Sequence, residues 1–497
     1  MSVAEAHVQG AEPPPLRLRT KLFFGIGSAA ETIALFSLGS YALLYYNQVL
    51  GLPGWLGGLA ISISFVVDGF ADPVIGSISD RTRSRFGRRH PFMYAAPIPI
   101  ALFFLAIFNP PEGLSHTLLF LWFTGSVIGL RVAMSVFHTP HLAFGGELSE
   151  SYIERTKVMA WNNFSTWIGG TAISLIALTF FFKATPEYPR GLLNPEPYLP
   201  FSLVAAGATL AILFASAWFT RDQIPRLPKP PEDQPPFSPF EFLKDVGKVL
   251  ANRNYVWLLA GLFALSLMTG IRDTLGLYGG TYYWGFSSEL LRWYSLGSLV
   301  GFVSALTLTP RLHAAWGKRR VIIWSAAALV VFPALGFILR EVGWMFPNGD
   351  PRLLPTLVAI SAVSYAVGAI LNISVMSALA DVADENEVRF GVRQEGVLYS
   401  TRALFAKLDT AIGAALAGIV LSLIAFPEKA QPGDVDPGVI QNLGLFLGPV
   451  SMIPGVFAVL LYARFNISSA DHAATRAKIL ALKHARQAET QDPRPHT

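Results

Sequence analysis

Twelve long apolar runs constrain this chain more than any other feature of its sequence. Six lie in the first half, at residues 21–49, 54–79, 91–109, 117–142, 158–182 and 199–219, and six in the second, at 254–282, 289–309, 320–340, 353–380, 394–426 and 440–465. As a helix, each run is long enough to cross the roughly 30 Å hydrocarbon core of a bilayer. Membrane β-barrels instead use short strands of alternating polarity. The runs therefore predict an all-α membrane protein with twelve transmembrane helices.

The composition agrees with this interpretation. Of 497 residues, 52% are hydrophobic and only 14% are charged, whereas soluble domains contain about 25% charged residues. The nine histidines are scattered and there is no cysteine. These observations argue against a soluble or membrane-bound enzyme, and we expect no metal site and no cofactor.

The basic residues indicate the orientation in the membrane. They concentrate in alternate loops, as Arg81, Arg83, Arg85, Arg88 and Arg89, then Arg155 and Lys157, then Arg311, Lys318, Arg319 and Arg320, then Arg389 and Arg393. Cytoplasmic loops carry such an excess of Lys and Arg. The pattern predicts a multi-pass protein of the inner or plasma membrane with both termini in the cytoplasm. It accounts for the net charge of +5 without a nucleic-acid partner.

The chain divides into two similar halves. Gly87-Arg88-Arg89 follows the second run, and Gly317-Lys318-Arg319 follows the eighth, 230 residues later. Six-helix repeats of this kind build one large class of transporters, which bind substrate between the halves. We predict tails at 1–20 and 467–497, six-helix bundles at 21–220 and 254–466, and a cytoplasmic linker at 221–253. Within the linker, apolar spacing from Phe237 to Leu250 favours an amphipathic surface helix, although a disordered linker is the alternative.

Two carboxylates in the second run are the strongest functional candidates. Asp68 and Asp72 are four residues apart and therefore share one helical face. Charges inside a membrane are costly and mark functional sites, and two neighbouring carboxylates cannot both ionise without a proton or cation between them. We predict a cation-coupling site. The structural alternative is a pair that stays protonated or meets an arginine of another helix.

The fourth run offers further ligands, Ser135 and His138, one turn apart. A hydroxyl oxygen suits a hard cation, whereas imidazole suits a proton because it titrates near physiological pH. A hydrogen-bonding role in the core is the alternative for His138.

The glycine and charged residues at the cytoplasmic end of the second run are interpreted as a gate. Gly76 allows close helix packing, and the charges that follow it can pair in one conformation and separate in another. The predicted gating residues are Gly76, Asp80, Arg81, Arg85 and Arg88, with Asp381 and Arg389 at the corresponding place in the second half. An anchor for anionic lipid is the alternative.

At these motifs the chain resembles the glycoside–pentoside–hexuronide:cation symporter family of the major facilitator superfamily. The resemblance rests on Asp68-x-x-x-Asp72-Pro73-x-x-Gly76 with Arg85-x-Gly87-Arg88-Arg89, and on a second motif running from Ala380-Asp381 through Tyr399-Ser400 to Lys407. It implies the major facilitator fold, cation-site roles for Asp68, Asp72 and Ser135, and a functional lysine at Lys407. His138 stands where melibiose-type members have a third acid, which favours protons over sodium. Thr32 and Asn163 stand where those members have their sugar-binding acid and arginine.

We therefore predict a cation-coupled symporter, driven by H⁺ or Na⁺, for a glycoside, sugar or sugar acid. The expected substrate-binding residues are Glu31, Thr32, Asn162, Asn163, Arg272, Asp273, Tyr399 and Lys407. A structural ion pair is the alternative for Lys407. We expect a monomer whose partners are a small-molecule substrate, a coupling cation and the lipid bilayer. A symporter of lysophospholipids or other amphipathic solutes is the main functional alternative, and a drug-efflux antiporter is a further one.

Overall fold

The computed structural model describes residues 15–149, 151–227, 238–390, 395–431 and 433–467, with 475, 478 and 479. Within these ranges the regular structure is helical. The first half of the chain forms α1 (Leu18–Ser37), α2 (Gly54–Arg81), α3 (His90–Phe108), α4 (His116–Glu147), α5 (Tyr152–Ile176) and α6 (Tyr198–Phe219). The rest forms α7 (Pro239–Val249), α8 (Arg253–Tyr278), α9 (Ser288–Trp316), α10 (Lys318–Glu341), α11 (Leu353–Phe390), α12 (Glu395–Leu423) and α13 (Pro437–Ala463).

The predicted helical membrane fold is confirmed. In the described part of the chain, 11 helices are long and apolar enough to cross a membrane. The predicted run at 289–309 forms α9, which has 29 residues and is also long enough. It is less apolar than the other membrane helices because Glu289, Arg292 and several serines interrupt its apolar residues.

Several membrane helices end in π-helical turns that the sequence pattern did not predict. α1 continues through the π-helical segments Leu38–Ala42 and Tyr45–Val49, and α8 ends in Gly279–Tyr283. A π-turn contains one more residue than an α-turn and therefore rotates the side chains that follow it.

Contacts between residues divide the chain into two compact units. The first comprises Met1–Phe237, Gly270–Ser295 and Thr410–Gly444. It holds α1 to α6 together with parts of α8, α9, α12 and α13. Its helices approach closely at small residues: a Cβ atom on Gly169 of α5 would lie 2.4 Å from the backbone oxygen of Ala29 in α1. Close packing through glycine is typical of membrane helices, where burial of apolar surface gives no advantage over lipid.

A tyrosine network in this unit lies at the end opposite the arginine-rich loops. The Tyr278 hydroxyl lies 2.9 Å from Asn47 Oδ1, and the Tyr282 hydroxyl lies 2.9 Å from Gln48 Oε1. The backbone N–H of Ala430 donates to the same oxygen of Gln48, at 3.0 Å. The network joins the π-helical ends of α1 and α8 to the loop after α12.

The second unit comprises Ser238–Thr269, Leu296–Asp409 and Leu445–Thr497. Its apolar core is formed by residues of α8, α10, α11 and α13, such as Met268, Ile322 and Tyr462. The linker helix α7 packs on this core through Val249, which is fully buried, whereas Lys244 and Lys248 are exposed. Helix α7 thus spans Pro239–Val249, within the segment Phe237–Leu250 where the apolar spacing favours an amphipathic helix.

Candidate functional site

Three side-chain pairs join α2 to α4. Arg131 Nε donates to Ser64 Oγ at 2.9 Å, Ser135 Oγ donates to Asp68 Oδ1 at 2.7 Å, and Thr139 Oγ1 donates to Asp72 Oδ1 at 3.2 Å. The partners are 67 residues apart in every pair. The constant offset means that α2 and α4 run in the same direction, with one pair on each helical turn. We call these six residues the α2–α4 ladder.

Asp68 forms the middle pair of the ladder. It is only 8% exposed, and Arg131 Nη1 lies 3.6 Å from its Oδ2 atom. The guanidinium group balances the charge of an ionised carboxylate at this site. Asp68 and Ser135, two of the predicted cation-site residues, therefore meet, and an arginine that was not among the predicted residues accompanies them.

Arg131 is held on several sides. Its Nε atom bonds to Ser64, and its Cζ atom lies 3.4 Å from the centroid of the Phe65 ring. An arginine inside an apolar run meets the same criterion that selected Asp68, since intramembrane charges mark functional sites. Applied to Arg131, four residues before Ser135, that criterion was enough to find it.

Asp72, one turn further along α2, has a more open environment. It is partly exposed, and Thr139 donates to it. Pro73 and Pro140 follow the last pair of the ladder and lie within α2 and α4. Each proline lacks an N–H and leaves a carbonyl of the preceding turn without its helical partner. Both helices are thus interrupted at the turn that contains Asp72.

A second cluster of ionisable groups joins α1 to α4. His138 Nδ1 lies 2.7 Å from Glu31 Oε2, and His141 Nδ1 lies 3.8 Å from Glu31 Oε1. The Nε2 atom of His141 lies 2.9 Å from the carbonyl oxygen of Phe24. The Glu31 and His141 side chains are 7% and 1% exposed, whereas the His138 side chain is 45% exposed. Glu31 and His138, predicted as substrate and cation residues, thus belong to one cluster.

The remaining predicted substrate residues of the first unit occupy several environments. Ser28 Oγ donates to Asn162 Oδ1 and so joins α1 to α5, while Thr32 Oγ1 donates to the backbone carbonyl of Ser28 at 2.8 Å. The side chain of Asn163 is exposed. In α8, Arg272 is partly buried and Asp273 is exposed.

In the second unit, Lys407 is a partly buried residue of α12. The side chains of Tyr399 and Arg389 lie outside the described residues, although their helices are described. The substrate role of Tyr399 and the gating role of Arg389 stay predictions.

Corresponding ion pairs occur in the two halves of the sequence. Arg88 Nη2 lies 2.8 Å from Glu147 Oε1, and Lys318 Nζ lies 2.8 Å from Asp381 Oδ2. Lys318 follows Arg88 by 230 residues and Asp381 follows Glu147 by 234, the offsets of the sequence repeat. The repeat therefore preserves a contact as well as a motif.

The other predicted gating residues surround the pair in the first half. Arg89 bridges Asp80 and Glu147, and its Nη1 atom donates to Ser79 Oγ at 3.0 Å. A Cβ atom on Gly76 would lie 3.3 Å from Thr139 Cγ2, so the glycine permits close contact of α2 with α4. Arg81 is partly buried in the last turn of α2, and Arg85 Cζ lies 4.9 Å from the centroid of the Phe86 ring.

The chain matches the family model described as "MFS/sugar transport protein" over residues 23–469. It is 24% identical to an uncharacterized symporter of Synechocystis, over 95% of this chain and 98% of the relative. It is 23% identical to the isoprimeverose transporter of Lactiplantibacillus pentosus, over 80% and 79%. It is 24% identical to a glucuronide carrier protein homolog of Escherichia coli, over 86% and 89%.

Solved structures share the fold at lower identity. A POT family transporter in complex with a thioalcohol-conjugated peptide aligns with a TM-score of 0.63 and 13% identity, over 90% of this chain and 96% of that one. The nucleoside transporter NupG aligns with a TM-score of 0.56 and 15% identity, over 90% and 100%. The chain therefore belongs to the MFS/sugar transport protein family, and it is a multi-pass membrane protein that acts as a secondary transporter rather than an enzyme.

Proposed function

We propose that the protein is a cation-coupled symporter that carries a glycoside, sugar or sugar acid through the membrane by alternating access. The observation that carries this proposal is the α2–α4 ladder, which holds two carboxylates one turn apart beside hydroxyl donors. The named relatives include carriers of isoprimeverose and of glucuronides, which supports a hydroxylated and in some cases acidic substrate.

Coupling requires that cation and substrate each favour the same conformation. A ligand shifts an equilibrium only by its differential affinity for the two states. Asp72 is the carboxylate we assign to this step, because it is partly exposed and lies at the turn where prolines interrupt both helices. Asp68 has Arg131 at its other oxygen and is better suited to hold the two helices in register.

The coupling ion is proposed to be a proton, with sodium as the alternative. His138 stands where the melibiose-type members have a third acid, and imidazole binds a proton near physiological pH. The candidate substrate residues Thr32, Asn162 and Asn163 lie on α1 and α5, and α1 also carries Glu31, which pairs with His138.

The test is uptake into proteoliposomes of labelled glycosides, uronides and lysophospholipids under an imposed proton or sodium gradient. Wild type is compared with Asp72→Asn and with Asp350→Asn as the matched control. Asp350 lies in the loop after α10, where hydrogen bonds from Arg352 lower its pKa. We expect one gradient to drive accumulation of a glycoside or uronide in wild type and in the control, and not in Asp72→Asn. Accumulation that ignores both gradients and survives Asp72→Asn overturns the proposal, and accumulation of lysophospholipid alone changes the substrate class.

We further propose that the protein is a monomer of the inner or plasma membrane. The basic loops indicate that both termini lie in the cytoplasm. Because the natural chain has no cysteine, single cysteines report topology directly. A membrane-impermeant maleimide added to whole cells should label His116→Cys and should not label Lys157→Cys; the reverse result contradicts the orientation.

A further inference from the structure

The cluster of Glu31, His138 and His141 is distinct from the α2–α4 ladder, and its hydrogen bonds determine which atoms carry protons. The carbonyl oxygen of Phe24 can only accept, so His141 Nε2, 2.9 Å away, must carry a hydrogen. In a neutral imidazole the other nitrogen is then a bare acceptor. The Nδ1 atom of His141 therefore presents a lone pair to Glu31 Oε1, 3.8 Å away.

The other oxygen of Glu31 is already bonded. It lies 2.7 Å from His138 Nδ1, and one hydrogen lies between these two atoms. Glu31 Oε1, by contrast, is buried and has no hydrogen-bond partner in the part of the chain that the structure describes. Buried polar atoms are normally paired, and one left unpaired is costly. Two acceptors thus face each other at 3.8 Å, and a proton bound between them allows them to approach to hydrogen-bond distance.

From this geometry we propose that Glu31 and His141 hold a second proton between Glu31 Oε1 and His141 Nδ1, and that His138 is the accessible end of the site. This inference rests on the proposed cation-coupled function and adds to Asp72 a second protonation site that coupling requires. Loading neutralises Glu31, either by protonating it or by pairing it with an imidazolium. Because the His138 side chain is 45% exposed, it can exchange protons that the two buried groups cannot exchange directly.

The charged groups around the cluster are consistent with this role. Helix α2 contributes Asp68 and Asp72 on the face packed against α4, and Asp68 lies beside Arg131. Helix α3 contributes His90, whose Nε2 lies 3.3 Å from Thr220 Oγ1. At the far end of α1, the ammonium of Lys21 pairs with Glu154 of α5.

Helix α6, which also packs on α1, contains no Asp, Glu, Lys, Arg or His within Tyr198–Phe219. Among the described residues, the ionisable side chains that pair with Glu31 are therefore the two histidines of α4. This is the condition under which its protonation state depends on conformation, since any movement of α4 relative to α1 changes both distances.

The cluster is also close to the substrate candidates along the chain. Ser28 and Thr32 lie one turn before Glu31 and directly after it, and Ser28 bonds to Asn162 of α5. A change in the charge of Glu31 therefore acts on the same segment of α1 that carries Thr32 and the contact of Ser28 with Asn162. Thr32 and Asn162 are both predicted substrate-binding residues. This placement couples proton binding to the α1–α5 contact without involving Asp68.

The first test needs no substrate. Infrared difference spectra of the purified full chain are recorded across the pH range in which imidazole titrates, for wild type, Glu31→Gln and the control Glu112→Gln. Glu112 is exposed in the loop between α3 and α4 and lies outside the cluster, so its substitution should leave the spectrum unchanged. We expect a carboxyl band in wild type and in the control, and its loss in Glu31→Gln, whereas imidazole bands remain because the chain has nine histidines. An unchanged spectrum in Glu31→Gln overturns the inference.

The second test uses the solute found in the uptake panel. Glutamine is isosteric with a protonated Glu31 and can donate to His141 Nδ1, so Glu31→Gln should lose accumulation driven by the proton gradient and keep counterflow exchange. His141→Gln, which can still donate to the Phe24 carbonyl, is the second variant should Glu31→Gln fold poorly; it should shift the pH dependence of uptake. If Glu31→Gln and His141→Gln both retain wild-type proton coupling, the inference fails while the proposed function stands. If wild type shows no coupling, the proposed function fails, and the spectra still report on the cluster.

Discussion

The clearest structural prediction concerns Arg131, the guanidinium beside Asp68. Replacing it with Met keeps much of the aliphatic volume and removes the charge. At 3.6 Å, the Coulomb attraction between the two groups is about 5 kcal/mol at an effective dielectric constant of 20. Removing one partner of a buried ion pair typically costs about 3–5 kcal/mol. We therefore expect Arg131→Met to lower the free energy of unfolding by about 3–5 kcal/mol.

Two features of the site limit other contributions to the loss of stability in Arg131→Met. Ser64 loses the hydrogen bond from Arg131, but its hydroxyl also donates to the carbonyl of Ile61, 2.6 Å away, so it stays paired. Asp68→Asn removes the uncompensated charge, and adding it to Arg131→Met should therefore restore part of the lost stability. The charge on Asp68, rather than lost packing, is the expected source of the instability.

The assay is unfolding of the purified protein by SDS, followed by circular dichroism, for wild type, both single variants and the double variant Asp68→Asn/Arg131→Met. The asparagine side chain that Asp68→Asn introduces is neutral and can still accept from Ser135. We expect an interaction energy of about 2–3 kcal/mol in this double-mutant cycle. Additive effects of the two substitutions would refute the argument that Arg131 balances Asp68.

Two further predictions concern packing. Gly169→Ala places a Cβ atom 2.4 Å from the backbone oxygen of Ala29 and should destabilise the protein by about 1–3 kcal/mol. The control is Gly207→Ala, where a Cβ meets nothing within 4 Å, and it should be neutral or slightly stabilising. Equal melting temperatures for the two variants would contradict the close packing at Gly169. Tyr282→Phe removes the hydroxyl 2.9 Å from Gln48 Oε1 and should cost about 1 kcal/mol; an unchanged melting temperature would show that this contact contributes nothing.

The fold could be predicted from the sequence because membrane crossing depends on length and apolarity, which are properties of single segments. The weakest of the twelve runs is the one where Glu289 and Arg292 interrupt the pattern. The repeat was visible as spaced motifs, and its offsets correctly related Arg88 and Glu147 to Lys318 and Asp381. The π-helical turns after Ser37 and Tyr278 leave no periodic signal, because a single extra residue shifts the pattern without breaking it.

The site could be predicted only in part. Asp68 and Ser135 were recognised as residue types suited to a cation site, and the structure brings them together. Arg131 could have been recognised as a charge within an apolar run, but its pairing with Asp68 depends on the rotation of α4 about its axis, which one sequence does not specify. The same limit explains why Glu31 was assigned to substrate binding and His138 to the cation, although the two side chains lie 2.7 Å apart.

The central claim is that solute and cation move together, and coupling of this kind is reciprocal. The most direct measurement is therefore the reverse of gradient-driven uptake: an inward gradient of the identified solute is imposed on proteoliposomes that contain a pH indicator, with a sodium indicator in parallel. The account predicts that solute entry drives protons inward in wild type and that Asp72→Asn abolishes this movement. Solute entry in wild type without movement of either cation would contradict it.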